Sequence, residues 1–329
     1  MKNLSIIGGG SWGTALAVVL TPRFERTTLW VHETDLAERM QANRVNDVFL
    51  PDTPLPANLT VTSDLLAALD GGEIVLSVMP SHLARAVYQR MLPGLNESMI
   101  FVSATKGLEN HSLMRITEVI SEVAGTTRVA VLSGPSFARE VARFEPTAVV
   151  AASTEPGLAE IVQAAFSGPT FRVYTSNDPT GVEIGGSIKN VVAIGAGVLH
   201  GMGLGNNAMA ALITRGLAEM TRLAVAMGGK QATLSGLAGL GDLVLTCTGD
   251  LSRNRTVGVE LARGRKLPDI VSSMKMVAEG VKTTDAAVEL AERFHVEMPI
   301  TAQMHQMLHA GASPQEAIRR LMERSLKGE

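Results

Sequence analysis

Across the first half of the chain, short β-branched and aliphatic runs alternate with stretches whose apolar residues recur at helical spacing. The runs predict strands at residues 4–7, 27–31, 74–78, 99–103, 129–132, 147–151 and 171–174. Most carry few charges, as strands buried on both faces do. Strands that alternate with helices assemble into a parallel sheet covered by those helices. From about Thr180 the texture changes. Long segments rich in Ala, Leu, Met, Gly and Glu replace the β-branched runs, and the pattern predicts helices alone. The expected fold class is α/β, a doubly wound sheet followed by an all-helical domain. The boundary falls near Asp178 and Pro179, giving domains at residues 1–179 and 180–329, although the helix over residues 186–198 could equally join both halves.

A chain of 329 residues exceeds the size at which one hydrophobic core usually stops growing, which supports the two-domain division. Its 29 basic and 32 acidic residues leave a formal charge of -3, without a basic block or a long acidic tail. No nucleic-acid partner is expected, and any anion site must be local. The single cysteine, Cys247, cannot form an intramolecular disulfide and reads as a small buried side chain in "LVLTCTG". The start "MKNLSIIGGGSWGTALAVVL" superficially mimics an export signal, with Lys2 and an Ala15-x-Ala17 pair. Three glycines and a serine interrupt its apolar run, so strand, turn and helix is the better reading. The most membrane-like segment elsewhere, residues 191–199, is too short to span a bilayer. A soluble, cytoplasmic protein is expected.

The first predicted strand runs directly into Gly8-Gly9-Gly10-Ser11-Trp12-Gly13, a G-x-G-x-x-G that opens a helical stretch. A dinucleotide site needs glycine at Gly8 for the tight turn, at Gly10 so that backbone can approach pyrophosphate, and at Gly13 for close helix packing. The helix N-terminus offers unpaired N–H groups and partial positive charge to the phosphates. A second strand ends at Glu33, 20 residues beyond Gly13. This context makes the domain Rossmann-like and the cofactor NAD or NADP. Glu33 could accept a hydrogen bond from the adenosine ribose, which favours NAD, whereas His32 or Arg44 could instead meet a 2′-phosphate.

Reacting groups in such a sheet belong just beyond the carboxyl ends of strands. "SATKGLE" presents Lys106 there, and "SGPSFARE" follows a later strand. In "GGSIKNVVAIGAGVLHG", Lys189 is the only charged residue between Glu183 and Arg215. A helix apolar around its circumference is buried, and a buried lysine with a lowered pKa can pass a proton near neutral pH. "GLAGLGDLVLTCTGDLSRNRTVG" presents Asp242 and then Ser252, Arg253 and Asn254. The arginine fork suits phosphate and the asparagine adds a neutral donor.

Together with "VAEGVKT", these strings resemble bacterial NAD(P)-dependent glycerol-3-phosphate dehydrogenases, in family order from Gly8 to about Pro299. The resemblance implies reduction of dihydroxyacetone phosphate to sn-glycerol 3-phosphate for phospholipid synthesis, by a homodimer. It implies cofactor contacts at Ser11, Trp12, Ala138, Arg253, Val277 and Glu279, with Lys106 lying between cofactor and substrate. Gly134, Ser136, Asp242, Ser252, Arg253 and Asn254 match positions of the substrate site. Lys189 matches the proton acceptor in glycerol phosphate oxidation, with Asp242 orienting it or a substrate hydroxyl. Family members often carry a basic residue near the end of strand 2, where this chain reads "LWVHETD". That departure leaves NAD against NADP open.

Two other readings compete. One is another two-domain hydroxyacid or sugar-acid dehydrogenase, similar to 6-phosphogluconate dehydrogenase. The other is a non-catalytic NADH-sensing protein, which would not need Lys106, Lys189 and Arg253 together. No metal is expected.

Overall fold

The computed structural model describes residues 1–274, 278–326 and 328. They form two compact units, Met1–Glu183 and Ile184–Glu329.

The first unit contains ten strands: β1 (Asn3–Ile7), β2 (Arg26–Trp30), β3 (Val45–Asn46), β4 (Leu50–Pro54), β5 (Leu59–Thr62), β6 (Ile74–Ser77), β7 (Ile100–Ser103), β8 (Val129–Ser133), β9 (Thr147–Ala152) and β10 (Phe171–Ser176). Eight form one sheet in the order β10-β9-β8-β7-β6-β1-β2-β5, and β3 with β4 make a small antiparallel pair. Successive side chains along the central strands enter cores on opposite faces, as a period of two requires. Ile6, Leu76, Val102 and Leu132 point to one core, while Ile7, Val75, Phe101 and Val129 point to the other.

All seven expected strands are present, and the fold class is the one the alternating pattern predicts. Three details differ. β3, β4 and β5 fall where no strand was expected. β9 runs antiparallel to β8, so the sheet is parallel except at that junction. The connection from β8 to β9 carries only the short helix Ala138–Ala142, whereas a parallel return needs a longer crossover. Thirdly, β2 stops at Trp30, and Glu33 instead starts the helix Thr34–Asn43 as its N-cap residue.

The strands on either side of β1 were reached in opposite directions along the sheet, β2 on one side and β6 on the other. Such a switch point leaves a crevice at the carboxyl ends of these strands, where ligands of doubly wound sheets bind.

The second unit is helical throughout its described residues. Its core gathers Val191, Ile194, Val198, Val257, Met304 and Leu308. The helix Pro179–Gly201 begins in the first unit and continues into the second. Expected membrane-like only over residues 191–199, it is in fact 23 residues long and apolar enough to cross a membrane, yet its apolar window is 100% buried within the protein. Burial inside a folded core accounts for its composition.

Candidate active site

The glycine-rich turn lies between β1 and the helix Ser11–Leu20. Gly8 has φ +126°, and a Cβ there would stand 2.2 Å from the Val78 carbonyl oxygen. A Cβ on Gly13 would stand 1.9 Å from the Gly8 carbonyl oxygen, so any other residue would push the helix off the strand. Gly10 is different: a Cβ there meets no protein atom within 4 Å. Nothing in the chain itself demands glycine at that position, whereas a phosphate approaching the helix start does. No side chain caps this helix at Gly10, and Trp12 holds its indole Nε1 buried without a partner among the described residues. These features fit a dinucleotide pyrophosphate.

At the end of β2, His32 and Glu33 are both exposed, and the His32 ring stacks edge-on against Trp30. Arg44 is tied down elsewhere. Its guanidinium donates to the carbonyl oxygens of Pro56 and Leu59, which makes it a brace for the β4–β5 connection.

Lys106 sits in the loop after β7, well before the next helix opens at Ile116. Its Nζ donates to the Gly134 carbonyl at 3.3 Å, and the Ser136 hydroxyl donates to the same oxygen at 2.9 Å. Three of the expected substrate-site residues are thus brought together beyond β7 and β8. Ala138 starts the short helix that packs against Ser11–Leu20. The Lys106 loop is pinned in its middle and at its far end. Arg85 holds Glu109 at 2.8 Å, and Arg115 holds the buried Glu183 at 2.7 Å. Glu183 also accepts from the Thr117 backbone N–H and hydroxyl. Burial pushes the Glu183 carboxyl above its usual range, against the pull of Arg115.

In the second unit, Lys189, Asp242 and Thr246 are all buried. Lys189 Nζ donates to Asp242 Oδ1 and, at 3.0 Å, to the Thr246 hydroxyl, which itself donates to the Asp242 carbonyl at 2.6 Å. An ammonium is costly to bury unless paired, and here it is paired twice. Asp242 follows a π-helical turn, Leu237–Gly241, and opens the helix Asp242–Thr248. Single π turns inside helices cluster at functional sites. Next to Lys189, Asn190 accepts from Asn254 Nδ2 at 2.9 Å, and Asn254 Oδ1 accepts from the Gly280 N–H at 2.9 Å.

Asn254 therefore locks three helices together, and Arg253, its neighbour, projects exposed from the first turn of Arg253–Ala262. Although the residue as a whole is exposed, the protein packed about its side chain removes part of the water from the Arg253 guanidinium and lowers its pKa from the ordinary arginine value, while Glu279 opposes the shift. Ser252 is engaged as the N-cap, accepting from the Arg255 N–H at 3.2 Å. Val277 lies outside the described residues. Three contributors went unremarked in the sequence reading: Asn190, Thr246 and Gly280. Thr246 carried a legible signal, since it stands four residues after Asp242 and so on the same helix face. Cys247 is fully buried, and burial pushes its thiol up to about 12, which makes it inert.

Comparison with known proteins covers both units. Residues 3–159 match the family model described as NAD-dependent glycerol-3-phosphate dehydrogenase N-terminus, and residues 178–319 match the corresponding C-terminus. A relative from Koribacter versatilis named glycerol-3-phosphate dehydrogenase [NAD(P)+] is 57% identical over 98% of both chains. Another of that name, from Syntrophotalea carbinolica, is 53% identical over 99% of both. The crystal structure of glycerol-3-phosphate dehydrogenase from Coxiella burnetii superposes with a TM-score of 0.94 at 44% identity, covering 98% of this chain and 99% of that one.

Proposed function

Because the chain belongs to the NAD-dependent glycerol-3-phosphate dehydrogenase family, we infer that it reduces dihydroxyacetone phosphate to sn-glycerol 3-phosphate with NADH or NADPH. The observation that carries the chemistry is the buried Lys189 ammonium held by Asp242 and Thr246. A dehydrogenase of this kind needs a proton donor at the carbonyl oxygen, and a sensing protein does not.

Residues 1–179 are proposed as the dinucleotide-binding domain and residues 180–329 as the substrate domain. Gly8, Gly10, Ser11, Trp12 and Gly13 would hold the pyrophosphate, with Glu33 or His32 at the adenosine ribose and Ala138, Arg253, Val277 and Glu279 as further cofactor contacts. When bound, the reduced nicotinamide supplies a hydride to C2 of the ketone. Lys106, with Gly134 and Ser136 beside it, polarises the C2 carbonyl. Lys189 gives its proton to the alkoxide oxygen, becoming a neutral amine, and takes the proton back in the oxidative direction.

Asp242 aims the Lys189 side chain before that transfer, and Thr246 fixes the approach. Arg253 is the primary phosphate contact, because it stands in the first turn of the helix capped by Ser252 and keeps part of its surface open to solvent, whereas Asn254 spends its side chain on Asn190 and Gly280. Holding the phosphate turns the reaction into one of placement. The family resemblance favours a soluble, cytoplasmic homodimer that supplies glycerophospholipid synthesis, and the long apolar helix is buried inside the protein and not offered to a membrane.

The deciding experiment follows nicotinamide absorbance with dihydroxyacetone phosphate, run with NADH and NADPH in parallel. Turnover with either cofactor is expected. Tight NADH binding without turnover, or turnover only with 6-phosphogluconate and NADP, would overturn the reading.

A further inference from the structure

We propose that Asp285, His305 and His309 form a surface site for a divalent transition-metal ion of the zinc class. His305 and His309 stand four residues apart on the helix Pro299–His309, hence on one face, and Asp285 comes from the neighbouring helix Glu279–Arg293. His309 Nε2 lies 2.8 Å from Asp285 Oδ1, and His305 Nε2 lies 3.6 Å from the same oxygen. One ligand atom from each of the three residues lies within 4.8 Å of the other two.

The spacing is what a metal needs. Ligands bound at about 2.0–2.1 Å in tetrahedral geometry stand about 3.3 Å apart, and the two observed separations bracket that value. An ion pair alone accounts for one imidazole, His309. It gives no reason for His305 to turn its Nε2 toward the same carboxylate oxygen with its ring centroid only 4.9 Å from the other ring. A cation shared by two neutral imidazoles and a carboxylate satisfies all three groups at once.

The donor set selects the ion. Two imidazole nitrogens and one carboxylate suit zinc and its neighbours in the first transition row, while magnesium and calcium take oxygen ligands. Three protein ligands leave a fourth position for water. Both helices are rigidly seated. The helix carrying the histidines buries Ile300, Met304, Met307 and Leu308, and its N-terminal N–H groups are held by the Glu219 carboxylate. The partners are thus preorganised, and a bound ion would staple the two helices.

Calorimetric titration of the full-length, chelator-stripped protein with zinc chloride tests this. The wild type should take up zinc with an affinity that falls at least about 100-fold in His305→Ala and in His309→Ala, since altering even a group behind a metal ligand costs about 10–100-fold. Asp285→Asn, which keeps the side-chain shape, should also weaken uptake. The thermal transition should rise with zinc in the wild type and stay fixed in the double variant His305→Ala/His309→Ala, and magnesium chloride should shift neither. The double variant retains the other five of the seven histidines, so the comparison isolates this site. Dehydrogenase turnover without zinc should match the wild type, because none of the three residues has a place in the proposed chemistry. An absence of zinc uptake by the wild type, or equal uptake by the double variant, would overturn the proposal.

Discussion

At the scale of single residues, the second unit is built around one expensive decision, the burial of an ammonium. Lys189 is only 4% exposed, and Asp242 and Thr246 are arranged to receive its protons. A purely structural role would be an odd use of that arrangement, since apolar residues of similar volume usually do as well or better. Replacing Lys189 by Ala should therefore lower turnover by about 10² to 10⁴, the ordinary loss on removing a proton-transfer group, while NADH affinity changes little. Steady-state rates beside a fluorescence titration with NADH separate the two, and a variant turning over near the wild-type rate would exclude Lys189 from the chemistry. Lys189 could be found in the sequence because a lone charge stands out on an apolar helix. Thr246 was legible only through its place four residues after Asp242, and Asn190 was not legible at all, because an amide is an ordinary helix residue until the fold brings its partner to it.

At the scale of elements, two helices meet through glycine. A Cβ on Gly197 would stand 1.9 Å from the Arg255 carbonyl oxygen, and one on Gly258 would stand 1.9 Å from the Ile194 carbonyl oxygen. This close crossing sets Asn254 within hydrogen-bond reach of Asn190 and so fixes where Arg253 points. Gly197→Ala should force the helices apart, at a cost of about 1–3 kcal/mol or more, and should raise KM for the phosphorylated ketone. Chemical denaturation and substrate kinetics on the one variant check both effects; unchanged stability with unchanged KM would remove the crossing from the argument.

The start of the helix Pro299–His309 makes a second case. Glu219 accepts from the N–H groups of Ile300 and Thr301 and from the Thr301 hydroxyl, yet burial raises its carboxyl above the ordinary value of 4.5. The folded chain then keeps a proton that the unfolded chain has released. The associated stability is complete below pH 4.5 and is lost as pH rises through the folded value. Glu219→Gln removes that titration, so the stability advantage of wild type over variant should shrink as pH climbs from 4.5 toward neutrality. A gap that is constant or widens with pH would contradict it.

The same scale shows why parts of the fold were hidden. Central strands announce themselves by continuous aliphatic runs, but β4 contains two prolines and an aspartate, and β5, at the sheet edge, alternates buried and exposed positions over only four residues. The antiparallel setting of β9 was equally invisible, because "TAVVAA" reads the same in either direction and the connecting chain decides the sense.

For the whole molecule, the division of labour is what the chain's two textures already suggested: β-branched alternation builds the unit with the glycine-rich turn, and the Ala-rich and Leu-rich remainder builds the unit with Lys189. Each has a core of its own, so ligands should stabilise the unit that holds them. A ligand at 100 times its Kd adds about 2.7 kcal/mol to the state that binds it. Because Gly8, Gly10 and Gly13 all lie in the first unit, NADH alone should slow amide hydrogen exchange across β1 and the helix Ser11–Leu20. Dihydroxyacetone phosphate added to the NADH complex should then slow exchange in Asp242–Thr248 and Arg253–Ala262, where Lys189 and Asn254 find their partners. Exchange that NADH leaves unchanged around the glycine-rich turn would show that the cofactor binds elsewhere. Exchange in the second unit indifferent to the ketone would detach Arg253 from phosphate recognition, even in an enzyme that still turned over.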